Sequence, residues 1–393
     1  MCSILQRCPA SCKDVSLVSP LLKLGAIPPR VPEVTPASSG GYPREFRGLR
    51  RCFGNNPKMP LFASLLFGFV PMFFFAFFIY WLDRYEKEPK ALLTTVFFWG
   101  VIVAAGGAFI INTILGMGVY IFTGSEAAME LTSGSLIAPV VEESLKGLAV
   151  LVVFFIFRRE FDSILDGIIY AAIVALGFAA AENSYYIFAR GYQESGWSGF
   201  WVVAFIRIVL VGLQHPFYTA FIGIGLAVSR MSRQMAIILL APIIGWCVAV
   251  FTHAFHNTLL TVVPGLGGMA VGTLLDWSGW IAMAGFAAWA LRREATYLKK
   301  HLDEEVTLGT ISSPQYQTAI SSLRQTMASI NALFSRNYAS TVKFYQLCGE
   351  LAHKKEQFRV VGDETENGLI IQTLRSELSR LGPDAQTFVP RLK

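Results

Sequence analysis

The chain has 393 residues, of which 53% are hydrophobic and 15% are charged, and its mean hydropathy is +0.49. This composition excludes a disordered protein and is unlike that of an ordinary soluble domain. Residues 61–291 carry only 10 Lys/Arg and 13 Asp/Glu, which indicates a membrane domain between two polar ends. The polar ends carry +9 and the middle −3, which gives the net charge of +6; the basic ends suit anionic membrane lipid, and the net charge does not indicate nucleic acid.

The membrane-spanning elements can be predicted in chain order. Residues 1–58 are rich in Pro, Ser, Gly and Arg without periodicity, and we expect a disordered basic tail. The 22 uncharged residues from Leu61 to Leu82 are long enough to cross a bilayer. Further apolar stretches lie at 91–122, 136–157, 164–189, 198–229, 236–263 and 267–291. The predicted fold class is therefore all-α, a polytopic transmembrane bundle of about seven helices within residues 59–291.

Two regions of this scheme carry their own expectations. The glycine-rich stretch at 91–122 is long enough to contain a re-entrant turn or a second crossing. After Arg292 the chain becomes polar, and weak helical periodicity over residues 315–356 predicts one or two amphipathic helices. Residues 292–393 are thus expected to form a partly helical tail.

Basic residues in the short loops predict the orientation. Seven Lys/Arg lie in the loops 83–90, 158–163 and 230–235, whereas the loops on the other side carry Arg190 alone. This asymmetry predicts a multi-pass cell-membrane protein whose C-terminus is cytoplasmic. The N-terminal tail, with nine Lys/Arg, would then need export. Because Met59 directly precedes the first helix, we expect residues 1–58 not to be part of the natural protein.

Polar residues inside apolar helices are costly, and by default they mark function. In this chain they are Glu142, Glu143, Lys146, Glu182, Asn183, Arg207, His215, His253, His256, Asn257 and Asp276. Glu142 and Lys146 stand at i, i+4 and are expected to pair, which leaves Glu143 without a local partner. Arg207 and Asp276 are expected to be charge partners of other residues or to face water.

Several of these groups are predicted to lie at one depth. At 1.5 Å per residue, the positions of Glu143, Glu182, His253 and His256 are roughly 10–15 Å below the outer surface. His215 comes out deeper, and we expect Pro216 to kink its helix. The groups can therefore form one cluster in the outer half of the bilayer.

Such a cluster suits peptide hydrolysis inside a membrane. A glutamate beside histidines can deprotonate water, either directly or on a metal, and histidine or asparagine donors can hold an oxyanion. A proton- or cation-coupled transporter and a non-catalytic membrane scaffold are the alternatives. A transporter would be expected to show inverted repeats and broken helices near the midplane, and no repeat is evident in the sequence.

Six short motifs with polar residues follow one another along the chain in an order that is similar to that of a known family. They are Asp83-x-x-Glu86-x-Glu88-Pro89, Glu142-Glu143-x-x-Lys146, Asp162-x-x-Asp166-Gly167, Gly177-Phe178-x-x-x-Glu182-Asn183, Arg207 with His215 and Thr219-Ala220, and His253-x-x-x-Asn257. Over residues 61–291 this order resembles the PrsW family of intramembrane proteases, which belongs with the CAAX prenyl proteases and bacteriocin-immunity membrane proteins. The resemblance implies cleavage of a single-pass membrane protein near the outer face, such as the anti-sigma factor cut by the best-known member.

The resemblance also implies roles for individual residues. Glu143 or Glu142 would activate water, and the remaining catalytic positions would be Glu182, His215, His253 and Asn257. We expect support from Lys146, Asn183 and Arg207, and from His256, which is additional to the family's pattern. Family members were first described as metalloproteases, whereas relatives in the superfamily are described as glutamate-dependent. We expect no cofactor, because no H-E-x-x-H is present and His253 and His256 at i, i+3 suit a metal less well than an i, i+4 pair. Zinc held by His253, His256 and Glu143 is the alternative.

Overall fold

The computed structural model describes residues 58–389, apart from residues 84, 86, 264, 364 and 365. The expectations of a disordered or non-native N-terminal tail lie outside these residues, except at Lys58, which begins the first helix. Within the described ranges the chain is almost entirely helical and contains no strand. The predicted all-α fold class is confirmed.

The helices of the membrane region follow the predicted stretches closely. They are α1 (Lys58–Leu82), α2 (Lys90–Thr123), α3 (Glu126–Thr132), α4 (Ala138–Ile156), α5 (Ile164–Tyr186), α6 (Gln193–Phe205), α7 (Gln214–Arg230), α8 (Met235–Val262) and α9 (Leu266–Thr307). Among the described residues, five segments are long and apolar enough to span a membrane; one of them, Ile164–Arg230, contains both α5 and the α6–α7 pair. Together with α4, which carries three charged residues, this arrangement is consistent with about seven crossings.

Two predicted connections differ from expectation. The stretch at 91–122 forms one helix with a π-helical turn at Gly100–Ala104, rather than a re-entrant turn or two crossings. The expected loop at 123–135 is largely helical, because α3 runs through the π-helical turn Ser133–Ile137 into α4. Gly124 separates α2 from α3 by adopting a left-handed conformation with φ of 64°, for which glycine carries no steric cost.

The stretch at 198–229 is broken in the middle. Helix α6 and its π-helical extension Ile206–Leu210 end before residues 211–213, and α7 begins at Gln214. Pro216 lies in the first turn of α7, where a missing N–H leaves no hydrogen bond unmade. The expected kink at Pro216 is therefore wrong in position. The chain breaks ahead of the proline, so that His215 belongs to the first turn of a new helix.

Helix α5 lies at the centre of the bundle and positions part of the site. Ser163 caps its N-terminus, and the Asp166 side chain accepts a hydrogen bond from the Ser163 N–H at 2.6 Å, which completes a capping box. Helices α1, α2, α4 and α7 surround α5, and most of its side chains are buried. Helix α2 approaches so closely that a Cβ atom on Gly177 would overlap the Phe97 carbonyl oxygen.

The C-terminal region is a folded unit rather than a partly helical tail. Helix α9 continues past the predicted boundary at residue 291 and ends only at Thr307. It is followed by α10 (Ser313–Ala319), α11 (Ser322–Phe334), α12 (Tyr338–Val361) and α13 (Asn367–Leu381). These helices pack with the end of α9 around a separate apolar core that includes Leu302, Phe344 and Leu351. We call residues 292–389 the C-terminal bundle.

Three loops of the membrane region contact the C-terminal bundle. Tyr85, in the α1–α2 loop, joins the bundle core. Asp162, in the α4–α5 loop, accepts a hydrogen bond from Lys354 Nζ at 2.6 Å. Arg233, in the α7–α8 loop, donates to the Arg359 carbonyl at 3.4 Å. These are the three loops whose basic residues predict a shared side, and we call this face the C-terminal side.

Candidate active site

The two adjacent glutamates lie in the first half of α4. The helix begins at Ala138, and Pro139 lies in its first turn, where proline is well tolerated. Glu142 is 7% exposed, and Glu143 and Lys146 are both 0% exposed. Buried charges are stable only when they are paired or hydrogen-bonded. The partners of each carboxylate oxygen therefore indicate its role.

Glu143 is the fully bonded carboxylate of the pair. Its Oε1 accepts hydrogen bonds from Lys146 Nζ at 2.6 Å and from His253 Nδ1 at 2.9 Å. Its Oε2 accepts a hydrogen bond from Thr219 Oγ1 at 2.8 Å. Helices α4, α7 and α8 thus meet at Glu143, which holds a histidine and a lysine in fixed orientations.

The predicted ion pair between Lys146 and Glu142 is present, with Nζ 3.9 Å from Glu142 Oε2, but the expectation that Glu143 lacks a local partner is wrong. Lys146 Nζ lies only 2.6 Å from Glu143 Oε1, so the i, i+3 partner is the closer one. The cause is tertiary: the ammonium is also 3.3 Å from His215 Nδ1 and 4.4 Å from the centre of the Phe178 ring. These neighbours on α5 and α7 draw the lysine away from the face that Glu142 occupies.

Glu142 is the carboxylate left open. Within the described residues its buried Oε2 has no hydrogen-bond partner. It lies 3.9 Å from His253 Nε2 and 3.9 Å from Lys146 Nζ. A buried oxygen without a hydrogen bond is costly, so a carboxylate oxygen held in this way is suited to accept a hydrogen bond from a reactant such as water. Glu142 is therefore the better placed of the two glutamates to act on a water molecule.

Glu182 and Asn183 form a second carboxylate centre near the end of α5. Arg207 donates to Glu182 through Nη2 in a short contact, and to Asn183 Oδ1 through Nε at 2.8 Å. The Arg207 guanidinium also lies over the Tyr186 ring at 4.5 Å. The expectation that Arg207 is a charge partner is confirmed, and its partner is Glu182.

His215 connects the two carboxylate centres. Its Nε2 lies 2.9 Å from Glu182 Oε2, and its Nδ1 lies 3.3 Å from Lys146 Nζ. Because a carboxylate only accepts and an ammonium only donates, Nε2 carries the hydrogen and Nδ1 the lone pair. The break before α7 permits this arrangement, since it places His215 beside α4 and α5 independently of the direction of α6.

His253 has the opposite tautomer to His215, with its hydrogen on Nδ1, and it faces Glu142. Its Nδ1 donates to Glu143, so the neutral ring presents the lone pair of Nε2 towards Glu142. Tyr218 stacks on the ring with centroids 4.9 Å apart. The predicted role of His253 as an oxyanion donor does not suit this tautomer. The site instead presents two hydrogen-bond acceptors, Glu142 Oε2 and His253 Nε2, to the space between the two side chains.

Asn257 lies on the predicted face of α8 but bonds elsewhere. Its Nδ2 donates to the Gly134 carbonyl at 2.9 Å. Gly134 belongs to the π-helical turn that precedes α4, so this bond ties α8 to the segment carrying the glutamates. The structure therefore gives Asn257 a positioning contact rather than a contact with the other site residues.

His256 and Asp276 form a separate polar pair. His256 Nδ1 lies 2.9 Å from Asp276 Oδ2, and Gln214 bonds to both residues. Tyr218 donates to Asp276 Oδ1 at 3.4 Å. The expectation of a partner for Asp276 is confirmed, whereas His256 does not reach the two glutamates of α4.

Sequence reasoning missed three contributors, namely Thr219, Tyr218 and Gln214. Thr219 belonged to one of the motifs but was given no role, and it binds Glu143 directly. Gln214 could have been noticed as a polar residue beside His215 in an apolar stretch. Tyr218 carries no signal of its own, because an aromatic residue in a membrane helix is unremarkable until its neighbour across the bundle is known.

The residues that could hold a metal differ from the predicted set. Ligand atoms of Glu142, His215 and His253 lie within 4.8 Å of one another, whereas His256 is engaged with Asp276. Glu142 Oε2 and His253 Nε2 suit a metal, and the bond from Glu143 to the other ring nitrogen resembles the support found behind metal-bound histidines. His215 could join only by releasing Glu182 or Lys146. The Lys146 ammonium beside these atoms further opposes a divalent cation, so the set fits a metal incompletely.

Comparisons with known proteins identify a family for the region of the chain that contains this cluster. The sequence profile of the PrsW family, described as intramembrane metalloproteases, matches residues 88–289. That range contains every predicted site residue and ends before the C-terminal bundle. No solved structure matches the chain.

Three curated relatives are each called protease PrsW. The Bacillus subtilis protein is 31% identical over 176 residues, which cover 45% of this chain and 73% of the relative. The Geobacillus kaustophilus protein is 29% identical over 164 residues, covering 42% of this chain and 65% of the relative. The Clostridioides difficile protein is 35% identical over 134 residues, covering 34% and 52% respectively. The alignments thus span between about half and three quarters of each relative.

Proposed function

The chain belongs to the PrsW family of intramembrane proteases, and from this premise we propose that it is an intramembrane endopeptidase that cleaves a single-pass membrane protein. The observation that carries the proposal is the open oxygen of Glu142, which faces His253 inside a buried cluster. A membrane-anchored regulator such as an anti-sigma factor is the proposed substrate class, by analogy with the family.

We place the reaction in the outer half of the membrane. The basic loops lie on the C-terminal side, which the positive-inside rule assigns to the cytoplasm. Helix α8 starts from that side, and His253 lies nine residues before its opposite end at Val262. This is roughly 14 Å at 1.5 Å per residue. Cleavage at this depth would release the extracytoplasmic part of a substrate.

The proposed mechanism assigns Glu142 as the general base. Glu142 Oε2 and His253 Nε2 both accept hydrogen bonds, and a water between them satisfies both. Glu142 takes a proton from this water while the water oxygen attacks the carbon of the scissile carbonyl group. Glu143 fixes the tautomer of His253, and Lys146 is the nearest cation for charge that develops on the carbonyl oxygen.

Glu182 and His215 have a supporting role in this proposal. His215 accepts from Lys146 and donates to Glu182, which itself binds Arg207. This chain of contacts orients the lysine ammonium and offers a route for a proton towards the leaving amine. A divalent metal, if held by Glu142, His215 and His253, would supply a Lewis acid at the same place.

The function is tested by cleavage of single-pass membrane substrates in liposomes. Glu142→Gln keeps the shape of the side chain but removes the base, and we expect a loss of about 10²–10⁴-fold in rate. Glu126→Gln, which changes an exposed glutamate of α3, is the matched control and should cleave normally. Wild-type cleavage by correctly inserted Glu142→Gln protein would contradict the assignment.

Chelation tests the glutamate mechanism separately from the activity. We expect cleavage to survive exhaustive treatment with a chelator, because the site opposes a metal through Lys146 and through the engaged His215. Loss of cleavage that is restored by added zinc would instead assign Glu142, His215 and His253 as ligands. In that case the endopeptidase proposal would stand and the glutamate mechanism would be wrong.

One feature also suits the transporter alternative. The break at residues 211–213 is the kind of discontinuous helix that lines ion pathways in transporters. Proton or cation flux across the membrane of liposomes that contain the purified protein would support transport. Substrate cleavage without any such flux would exclude it.

A further inference from the structure

A groove next to the proposed active site is not used by the mechanism. It lies between α7, α8 and α9, and its cavity volume is about 190 Å³. Its walls include Phe217, Phe251, Phe255, Leu259 and Leu275. Phe251 and Phe255 are 68% and 50% exposed, so the groove opens sideways onto the surface that faces lipid.

The floor of this groove is polar and adjoins the proposed catalytic residues. His256 and Asp276 line it and bond to each other at 2.9 Å. Tyr218 lines it as well, and its ring stacks on His253 with centroids 4.9 Å apart. One aromatic residue therefore contacts both the groove and the histidine that faces Glu142.

The size and chemistry of the groove suit one large apolar side chain. A cavity of roughly 150 Å³ lined by Leu, Ile and Phe is enough to bind benzene, and this groove is somewhat larger. A peptide bond presented to hydrolysis must leave its helical hydrogen bonds, and unpaired backbone groups are costly in lipid. The His256–Asp276 pair offers a polar partner for such a group beside the apolar walls.

We propose that the groove between α7, α8 and α9 is the subsite that receives a large apolar side chain of the substrate's transmembrane segment, adjacent to the scissile bond. The inference rests on the proposed endopeptidase function, since it assigns the substrate as occupant. A lipid acyl chain is the competing occupant. Tyr218 is then the residue that contacts both the side-chain subsite and His253.

The first test measures occupancy and does not require turnover. The photo-crosslinker p-benzoylphenylalanine replaces Phe251 in the groove or Phe74 on α1, which are 68% and 69% exposed. The probe is a synthetic transmembrane peptide of leucine and alanine with one central phenylalanine, added to Glu142→Gln protein in liposomes. We expect several-fold more peptide crosslinking at position 251 than at position 74. Equal yields, or crosslinking to lipid alone at position 251, would overturn the proposal.

The second test measures specificity with substrates that the wild type cleaves. Leu275→Trp fills the groove, and Leu274→Trp places the same bulk at a neighbouring position outside it, with 68% exposure. We expect Leu275→Trp to lower kcat/KM for phenylalanine-bearing substrates by about 10–200-fold relative to alanine-bearing ones. Leu274→Trp should leave this ratio unchanged, and an unchanged ratio in active Leu275→Trp protein would contradict the subsite.

The two tests separate this inference from the proposed function. A wild type that cleaves no membrane protein counts against the endopeptidase, whereas the crosslinking yields still decide whether an apolar peptide occupies the groove. Active protein with equal crosslinking at positions 251 and 74 counts against the groove alone.

Discussion

Two buried lysines show how the membrane region and the C-terminal junction differ. Lys146 contacts Glu143 and Lys354 contacts Asp162, each at 2.6 Å. At the junction, both oxygens of Asp162 face cations or potential cations, because His353 lies 4.0 Å from Oδ1. In the membrane, Lys146 satisfies Glu143 and leaves the neighbouring Glu142 with an open oxygen. A buried ion pair is thus no sign of catalysis by itself, whereas an unbonded carboxylate oxygen beside one is informative.

The largest expected effect comes from breaking the pair in the membrane region. Lys146→Met leaves Glu143 buried without its cation, and we expect the free energy of unfolding to fall by about 3–5 kcal/mol. The double variant Lys146→Met/Glu143→Gln removes both charges and should recover most of this loss. Thermal unfolding of the purified variants measures the difference. A double variant as unstable as the single one would show that Lys146 acts through His215 rather than through Glu143.

Breaking the junction pair should have a more local effect. Lys354→Met removes the closest cation from Asp162 where the C-terminal bundle meets the membrane region. We expect faster amide hydrogen exchange in α12 and the α4–α5 loop, with the membrane helices unchanged. Lys343→Met on the exposed face of the same helix is the control. If α12 and the α4–α5 loop exchange as slowly in Lys354→Met protein as in the wild type, the bundle docks through its apolar contacts, such as Tyr85, alone.

Acid should weaken the junction before it unfolds the bundle. Burial opposes the charge of Asp162, but the Lys354 ammonium, the nearby His353 and the hydrogen bond with Asp166 together hold the pKa of this carboxyl below its usual range. A carboxyl with a lowered pKa stabilises the folded state above its unfolded pKa of about 3.9. This stabilisation is lost as the pH falls below that value. Hydrogen exchange in α12 between pH 3 and 6 measures it, and no change in wild-type protection over that range would contradict it.

A separate effect is expected between about pH 4 and about pH 7, from Asp83 just beyond the end of α1. Burial raises the pKa of Asp83 to about 7, although the nearby Lys87 lowers it. The folded protein then keeps a proton that the unfolded chain releases near pH 4, so stability falls as the pH rises from about 4 to about 7. Asp83→Asn should flatten the melting temperature across this interval. Parallel wild-type and Asp83→Asn profiles would assign the dependence to another group.

Much of the architecture was predictable from the sequence. A run such as Leu61 to Leu82 must be a helix in lipid, because no other structure satisfies its backbone hydrogen bonds there. The loops with basic residues were assigned to one side by charge alone, and their contacts with the C-terminal bundle agree. The C-terminal bundle was underestimated, because its core is assembled from five helices that are separated in the chain, and α12, which contributes Phe344 and Leu351 to that core, shows no one-sided apolar period of its own.

The sequence identified the polar residues that lie inside the membrane helices, but it did not determine their partners. Spacing along α4 allows Lys146 to reach either Glu142 or Glu143, and only the neighbours on α5 and α7 decide between them. Likewise, His253 and His256 share a face of α8, yet α4 and α9 draw them to different carboxylates. The sequence determines which polar groups lie inside the membrane. Each of them needs a partner there, because an unpaired polar group in lipid is costly. The tertiary structure decides which partner each one finds, because that depends on the approach of helices that are remote in the chain.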